Sequence, residues 1–323
     1  MSEKENSPVL AISNLSVSFV QYDKGLHQID LPVISDLNVT VRRGEITAVV
    51  GSSGSGKSLL AHAVLGLLPR NANVMGRILF EGELLTPRRI EEIRGKEIAL
   101  VPQSVNYLDP LMKVGAQVRN GKKDKRTIRR QKKLFERYSL EEKAESFYPF
   151  ELSGGMARRV LLSSVLMERP KLIIADEPTP GLHLEMAKKA MEDFRAFADE
   201  GNGVLLITHD IELALEVADR ITVFYAGTTV EEALVTDFEA EEKLRHPYTK
   251  ALWRALPQNG FHSLPGLQPY VKDMPKGCPF GPRCDRFCRE CAGEIPVRPV
   301  RGGTVRCILA SQERVFDPRG RWC

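Results

Sequence analysis

The sequence predicts an α/β protein with a largely parallel sheet, followed by a small cysteine-rich C-terminal extension. Short apolar runs alternate with longer amphipathic segments over the first two-thirds of the chain. This alternation stops after about Ala233, and from Pro257 onward the chain is rich in Pro, Gly and Cys. The apolar share of 42% and the charged share of 27% are typical of a folded globular protein.

Five short apolar runs are candidate central strands, because each is bounded by polar or turn-forming residues. They are residues 46–50, 98–101, 172–175, 204–208 and 221–225. We expect one helix over residues 57–68 and a short one over 246–256. Residues 111–148 are polar and contain few β-branched residues, which predicts a helical insert within a helical subdomain of about 104–165.

Charge and hydropathy exclude several classes of protein. The net charge of +4 is mild and does not indicate a nucleic-acid partner. No run approaches the roughly 18 apolar residues of a membrane span, and the polar start of the chain lacks a signal-peptide core, so we expect a cytosolic chain. Residues 122–133 contain eight Lys or Arg residues. That segment is either a solvated helix face or a surface that meets anionic lipid or a membrane subunit.

A glycine-rich loop follows the first predicted central strand. Residues 51–58 read GSSGSGKS and fit the phosphate-loop pattern G-x-x-x-x-G-K-[ST]. The glycines let backbone N–H groups surround phosphate oxygens, and the following helix adds its dipole. We expect Lys57 to reach the β- and γ-phosphates and Ser58 to ligate Mg²⁺. The predicted nucleotide contacts are Gly51, Ser52, Gly54, Ser55, Gly56, Lys57, Ser58 and Leu59.

An acidic pair ends the third predicted strand. Asp176 stands at the carboxyl end of that strand, where it can hold Mg²⁺ directly or through water. Glu177 follows and can orient or deprotonate an attacking water. Upstream, the segment 152–155 reads LSGG, in which Ser153 suits a helix N-cap. Gly154 and Gly155 would let a phosphate approach the first turn of the next helix.

The LSGG segment, upstream of the acidic pair, resembles the signature of ABC ATPases, and the resemblance covers nearly the whole chain. Gln103 resembles the family's glutamine loop, which contacts magnesium and the membrane subunit, and His209 resembles its switch histidine. Phe19 stands where the family has an aromatic that stacks on adenine, with Tyr22 as a substitute. The resemblance implies ATP and Mg²⁺ as ligands. It implies Glu177, His209 and Lys57 as catalytic residues, and Ser58, Gln103 and Asp176 as the magnesium site.

The family resemblance also implies a dimer. Two such domains face head to tail, and each ATP lies between the phosphate loop of one and the signature helix of the other. The chain departs from the family after Thr179, where it reads PGLH at residues 180–183 and has His183 in place of the usual Asp. His183 cannot supply a permanent negative charge at the dimer seam. We therefore expect a heterodimer with a second ABC ATPase subunit and unequal sites.

The chain from residue 245 onward resembles a segment typical of importers for peptides, nickel and related solutes. The resemblance lies in RHPYTKAL at residues 245–252, the Pro265–Gly266 turn, and GCPF at residues 277–280. It implies an ABC ATPase domain over 1–240 and an importer-type extension over 241–323. It also implies two membrane permease subunits, an extracytoplasmic solute-binding protein and a peripheral position on the cytoplasmic face of the inner membrane. Peptides, nickel and metal chelates all stay open as cargo. The alternative is a soluble ABC ATPase of DNA repair or translation, although no long coiled coil or second cassette is evident.

Five of the six cysteines cluster near the end of the chain. Cys278, Cys284, Cys291 and Cys307 have the spacing C-x₅-C-x₆-C-x₁₅-C. Four thiolates can hold a [4Fe–4S] cluster or a tetrahedral Zn²⁺, and the spacing alone leaves both open. The importer resemblance implies iron–sulfur ligands. Cys288 is extra to that pattern and could compete as a ligand, and Cys323 is expected to be an unpaired thiol.

Overall fold

The computed structural model describes residues 7–22, 25–52 and 54–310. Within them the strands are β1 (Pro8–Tyr22), β2 (Gln28–Arg42), β3 (Ile46–Gly51), β4 (Ala72–Phe80), β5 (Glu83–Leu84), β6 (Ile98–Val101), β7 (Leu172–Asp176), β8 (Gly203–Thr208), β9 (Arg220–Tyr225), β10 (Thr228–Leu234), β11 (Arg298–Val300) and β12 (Gly303–Val305). The α-helices are α1 (Lys57–Val64), α2 (Pro87–Ile93), α3 (Val114–Val118), α4 (Lys125–Arg137), α5 (Gly154–Glu168), α6 (Leu184–Asp199), α7 (Ile211–Val217) and α8 (Pro247–Arg254).

The main sheet has eight strands in the order β11-β12-β10-β9-β3-β8-β7-β6. Neighbouring strands from β9 to β6 are parallel, whereas β10, β12 and β11 extend the β9 edge in antiparallel fashion. The five predicted strands are β3 and β6 to β9, so the α/β prediction is confirmed. They were recognisable because a parallel strand is buried on both faces and reads as a continuous apolar run.

A second sheet, which the sequence analysis did not predict, has four antiparallel strands in the order β2-β1-β4-β5. Its inner face includes Leu10, Leu15 and Val17, all fully buried. These side chains form one core with Leu60 of α1 and Leu205 of β8. Helix α1 is therefore packed between the two sheets, which fixes the direction in which its first residues point.

The helices differ from their predictions mainly in length. Helix α1 ends at Val64 rather than at residue 68, because Gly66 has a left-handed backbone with a φ of 63°. Residues 102–171, all of them described, contain helices and no strand. Their core side chains, such as Val114, Phe135 and Leu162, pack against the other face of the main sheet.

The C-terminal residues pack onto the main sheet. Helix α8 replaces the predicted helix over 246–256 and is slightly shorter. Strand β12 pairs with β10, where Glu231 lies opposite Val305, so the C-terminal extension contributes to the eight-stranded sheet. In the part of the chain that the structure describes, no helix is both long and apolar enough to cross a bilayer.

Candidate functional site

The phosphate loop connects the central strand of the main sheet to a buried helix. Strand β3 ends at Gly51, where a β-carbon would lie 2.2 Å from the carbonyl oxygen of Phe224. Only glycine fits so close to the neighbouring strand. Gly56 precedes α1 with a φ of 96°, a conformation that glycine adopts without strain. The loop's backbone course therefore depends on glycines at the predicted positions; Ser53 lies outside the described residues.

Lys57 is the buried cation of the loop. Its Nζ donates to the carbonyl oxygens of Gly51 at 2.8 Å and Ser52 at 2.9 Å. Burial lowers the pKa of Lys57, and the carboxylates of Glu177 and Asp176 oppose that shift. The hydroxyl of Ser55 is also buried and makes no hydrogen bond within the described chain. The loop thus presents a cation and an unpaired hydroxyl where a phosphate group is expected.

Two oxygen ligands suited to magnesium lie side by side. The Ser58 hydroxyl, in the first turn of α1, donates to Oδ1 of Asp176 at 3.1 Å. Asp176 is 3% exposed, and burial raises its pKa. A nearby divalent cation would favour the ionised carboxylate and so reverse this effect. Hard oxygen ligands of this kind fit Mg²⁺.

Glu177 is held by the end of strand β8. Its Oε1 accepts from the backbone N–H of His209 at 3.0 Å and lies 2.7 Å from the His209 Nδ1. Its Oε2 accepts from the Thr208 hydroxyl at 3.3 Å. The residue has a left-handed φ of 46°, which is uncommon for glutamate and typical of functional sites. Glu177 is buried and His209 is largely exposed, so the predicted base and the predicted switch histidine are in direct contact.

Gln103 follows strand β6, and its position depends on a buried arginine. The Gln103 side chain is exposed. The backbone carbonyl oxygens of Gln103 and Pro102 both accept hydrogen bonds from the guanidinium of Arg158, on the signature helix α5. Burial lowers the pKa of Arg158, while the charge of Asp176 opposes that shift. Arg158 therefore ties α5 to the segment that carries Gln103.

The signature segment, residues 152–156, contains the start of helix α5. Ser153 caps α5, since its Oγ accepts from the N–H of Met156 at 3.3 Å. A β-carbon added to Gly154 would lie in open space. One added to Gly155 would lie 3.2 Å from the carbonyl oxygen of Gly181. Among the described residues, we find no hydrogen bond between residues 152–156 and the phosphate loop. His183 occupies the N-cap position of α6 without a side-chain capping hydrogen bond, and it is exposed.

The predicted adenine-stacking residues lie along strand β1. Phe19 is half-buried and packs against the core beneath the antiparallel sheet. Tyr22 is 64% exposed and its hydroxyl accepts from the Gln28 side chain at 3.0 Å. Leu59, the remaining predicted contact, is half-buried and packs against the same core as Phe19. Of the two aromatic residues, Tyr22 offers the more accessible ring.

The four predicted cysteine ligands line one cavity together with His246: they are Cys278, Cys284, Cys291 and Cys307. The Sγ of Cys288 lies 3.3 Å from that of Cys291. Burial raises the pKa of Cys278 to about 11, and the charges of the neighbouring thiols add to the shift. The described side chains include no group of three or more His, Cys, Asp or Glu residues arranged to hold a metal ion. Cys323 lies outside the described residues.

Sequence reasoning missed two residues that position this site. Arg158 is 4% exposed although it is charged, and it lies on the same helix face as Leu161 and Leu162. A charged residue on an apolar helix face was therefore a usable signal. Thr208 offered no such signal, because its contact with Glu177 depends on the pairing of β7 with β8.

Comparisons with known proteins agree with this geometry. Residues 34–180 match the ABC transporter family, and residues 230–291 match the family described as oligopeptide/dipeptide transporter, C-terminal region. The oligopeptide transport ATP-binding protein OppD of Salmonella typhimurium is 32% identical, with 95% of each chain covered. OppD of Haemophilus influenzae is 34% identical, with 95% of this chain and 99% of the relative covered.

A solved structure resembles the same region. It is the dimeric structure of an ATP-binding cassette in a post-hydrolysis state, bound to ADP and Pi. Its TM-score is 0.60 at 25% identity, and the match covers 70% of this chain and 98% of that one. The chain therefore belongs to the family of ABC transporter ATP-binding subunits that carry the oligopeptide/dipeptide transporter C-terminal region, and it is an ATP-hydrolysing enzyme.

Proposed function

We propose that this chain is a motor subunit of an ABC importer for oligopeptides. The observation that carries the proposal is the presence, in one chain, of an ABC transporter region and of the C-terminal region of oligopeptide/dipeptide transporters. The names of the relatives favour oligopeptides over the nickel and metal chelates that the sequence left open. A soluble ATPase of DNA repair or translation is disfavoured by that same region.

The chemistry follows from the described contacts. Glu177 is held by His209 and Thr208 so that its carboxylate can orient and deprotonate the attacking water. Lys57 and His209 stabilise the charge that develops on the transferred phosphoryl group. Bound Mg²⁺, held through Ser58, Asp176 and Gln103, would neutralise charge on the β- and γ-phosphates.

The proposed working unit contains two ATPase subunits. The signature segment makes no hydrogen bond to its own phosphate loop in the described chain, so we propose that Ser153, Gly154 and Gly155 contact an ATP held by the other subunit. His183 is exposed at the start of α6, where the family's usual Asp lies at the seam. We therefore propose a heterodimer with unequal sites. Measuring ATP turnover with each site disabled in turn tests it, and equal contributions would count against it.

The remaining proposed partners are two membrane permease subunits and an extracytoplasmic solute-binding protein. The exposed side chain of Gln103 is available to a permease, which would hold this chain peripherally on the cytoplasmic face of the inner membrane. The basic stretch at residues 122–133 forms much of α4, and several of its side chains are exposed. It is either a solvated face or a second contact with the membrane.

We also propose that the extension holds a [4Fe–4S] cluster, with Zn²⁺ as the alternative. Support comes from the shared cavity of the four cysteines named above and from their resemblance to the importer pattern. Such a site would fix a segment that is rich in turns and poor in apolar core. Cys288 lies close enough to Cys291 to compete as a ligand.

Uptake measurements test the proposed function. Cells that contain only the Glu177→Gln form of this chain should lose uptake of labelled oligopeptides and keep uptake of nickel. The matched control is Glu185→Gln, an exposed glutamate in the first turn of α6. Selective loss of nickel uptake would identify nickel, rather than oligopeptides, as the cargo. Unchanged uptake of both solutes would contradict the proposal.

A further inference from the structure

The C-terminal extension touches the phosphate loop. The Ser52 hydroxyl, at the start of that loop, donates to the side-chain Oε1 of Gln268 at 2.6 Å. These two residues are more than two hundred positions apart in the chain. Gln268 lies two residues after Gly266 of the Pro265–Gly266 turn, where Gly266 has a left-handed φ of 78°. A short segment of the extension therefore reaches the nucleotide site.

A second residue of the extension meets the same serine. Tyr248, in α8, is 2% exposed, and burial raises its pKa while interactions with the side chain and backbone of Ser52 oppose the shift. The ring of Tyr248 packs against Tyr225 of β9 at 4.4 Å and against Phe280 at 5.4 Å between ring centroids. Tyr248 is therefore a fixed side chain, and Ser52 lies against it.

The segment that carries Gln268 is itself anchored. The guanidinium of Arg283 donates to the carbonyl oxygens of Pro265 at 2.9 Å and Leu264 at 3.2 Å. The same group donates to the Tyr225 hydroxyl at 3.3 Å. Arg283 thus binds the turn before Gln268 to a strand of the main sheet. This anchoring keeps the Gln268 amide within reach of the phosphate loop.

Ser52 is consequently held from two sides. Its carbonyl oxygen accepts from Lys57, the cation of the site, and its hydroxyl donates to Gln268. The backbone N–H groups of a phosphate loop bind phosphate only when the loop is correctly shaped. A loop fixed before ATP arrives loses less conformational freedom on binding. We propose that the C-terminal extension is a working part of the ATP site, in which Gln268 positions the phosphate loop through Ser52.

Equilibrium binding of ATP to the full-length chain tests this inference. Gln268→Met keeps the side-chain length but removes the acceptor, and we expect ATP affinity to fall about 2- to 10-fold, the range for one hydrogen bond. Turnover at saturating ATP should stay close to that of the native chain. The matched control is Gln258→Met, at an exposed position of the same extension. Gln268→Asn, which is one methylene shorter, is the second variant if Gln268→Met folds poorly.

A double-mutant cycle distinguishes positioning from a general structural role. If Gln268 acts through Ser52, then Gln268→Met should have little further effect on ATP affinity in a Ser52→Ala background. Additive losses from the two substitutions would overturn the inference, as would native affinity in a folded Gln268→Met chain. The inference rests on ATP binding and not on the transported solute. Failure of the native chain to bind ATP would instead refute the ATP site itself.

Discussion

Arg158 offers a prediction that joins stability to activity. Arg158 is 4% exposed, and its guanidinium donates to the backbone carbonyl oxygens of Pro102 and Gln103. Arg158→Met keeps much of the side-chain volume and removes both donors. The buried Pro102 carbonyl would then lose its charged partner, and the segment that carries Gln103 would lose its tie to the signature helix.

The expected magnitude follows from these contacts. Two hydrogen bonds from a charged donor are worth about 3–6 kcal/mol together. Burying the guanidinium has a desolvation cost, and its Nε has no partner within the described chain. Removing the guanidinium removes this cost and so offsets part of the lost hydrogen-bond energy. We expect the free energy of unfolding to fall by a net of about 2–4 kcal/mol. ATP turnover in the assembled transporter should fall more than ATP affinity, because Gln103 is displaced rather than the phosphate loop.

Urea unfolding of the purified chain and steady-state ATP turnover of the assembled transporter measure the two effects. Arg126→Met, at an exposed position of α4, is the control and should change the free energy of unfolding by less than about 0.5 kcal/mol. Arg158→Lys should behave like Arg158→Met, since an ammonium group cannot reproduce the planar fork that reaches both carbonyl oxygens. Native stability and turnover in Arg158→Met would refute the reasoning.

Two further predictions concern Asp176 and the cysteine cluster. Burial raises the pKa of Asp176, so folding makes its ionised form less favourable than it is in the unfolded chain. Asp176→Asn should therefore raise the melting temperature of the nucleotide-free chain at pH 7, and this gain should shrink as the pH falls through the folded pKa; an equal gain at low pH would contradict it. The same variant should lose ATP turnover. Chains purified anaerobically should contain iron and inorganic sulfide. The Cys284→Ser variant should lose both, and the Cys288→Ser variant should keep both. Zinc instead of iron and sulfide would support the Zn²⁺ alternative.

The parallel core of the fold could be predicted from the sequence, and the antiparallel sheet could not. Strands β3 and β6 to β9 are buried on both faces and read as apolar runs. Strands β1, β2 and β4 are half-buried and mix apolar with polar residues. Their register shifts also interrupt the period-two pattern on which strand prediction depends.

The candidate site divides in a similar way. Lys57, Ser58 and Asp176 lie at strand ends and helix starts, where a local motif specifies both the residue and its surroundings. The helix pattern could mark Arg158 as buried, but the partners of Arg158 and Gln268 lie far away in sequence, so no local pattern predicts these contacts. Those contacts depend on the packing of distant segments, which the structure shows and a local sequence pattern does not.

The most direct test of the central claim is ATP turnover by the assembled transporter containing Glu177→Gln. The amide keeps an oxygen that can accept from Thr208 or His209 but cannot take a proton from water. We predict ATP binding within about twofold of the native chain and turnover at this site reduced by about 10² to 10⁴. Native turnover, measured with the partner subunit's own site disabled, would contradict the assignment of Glu177 as the base.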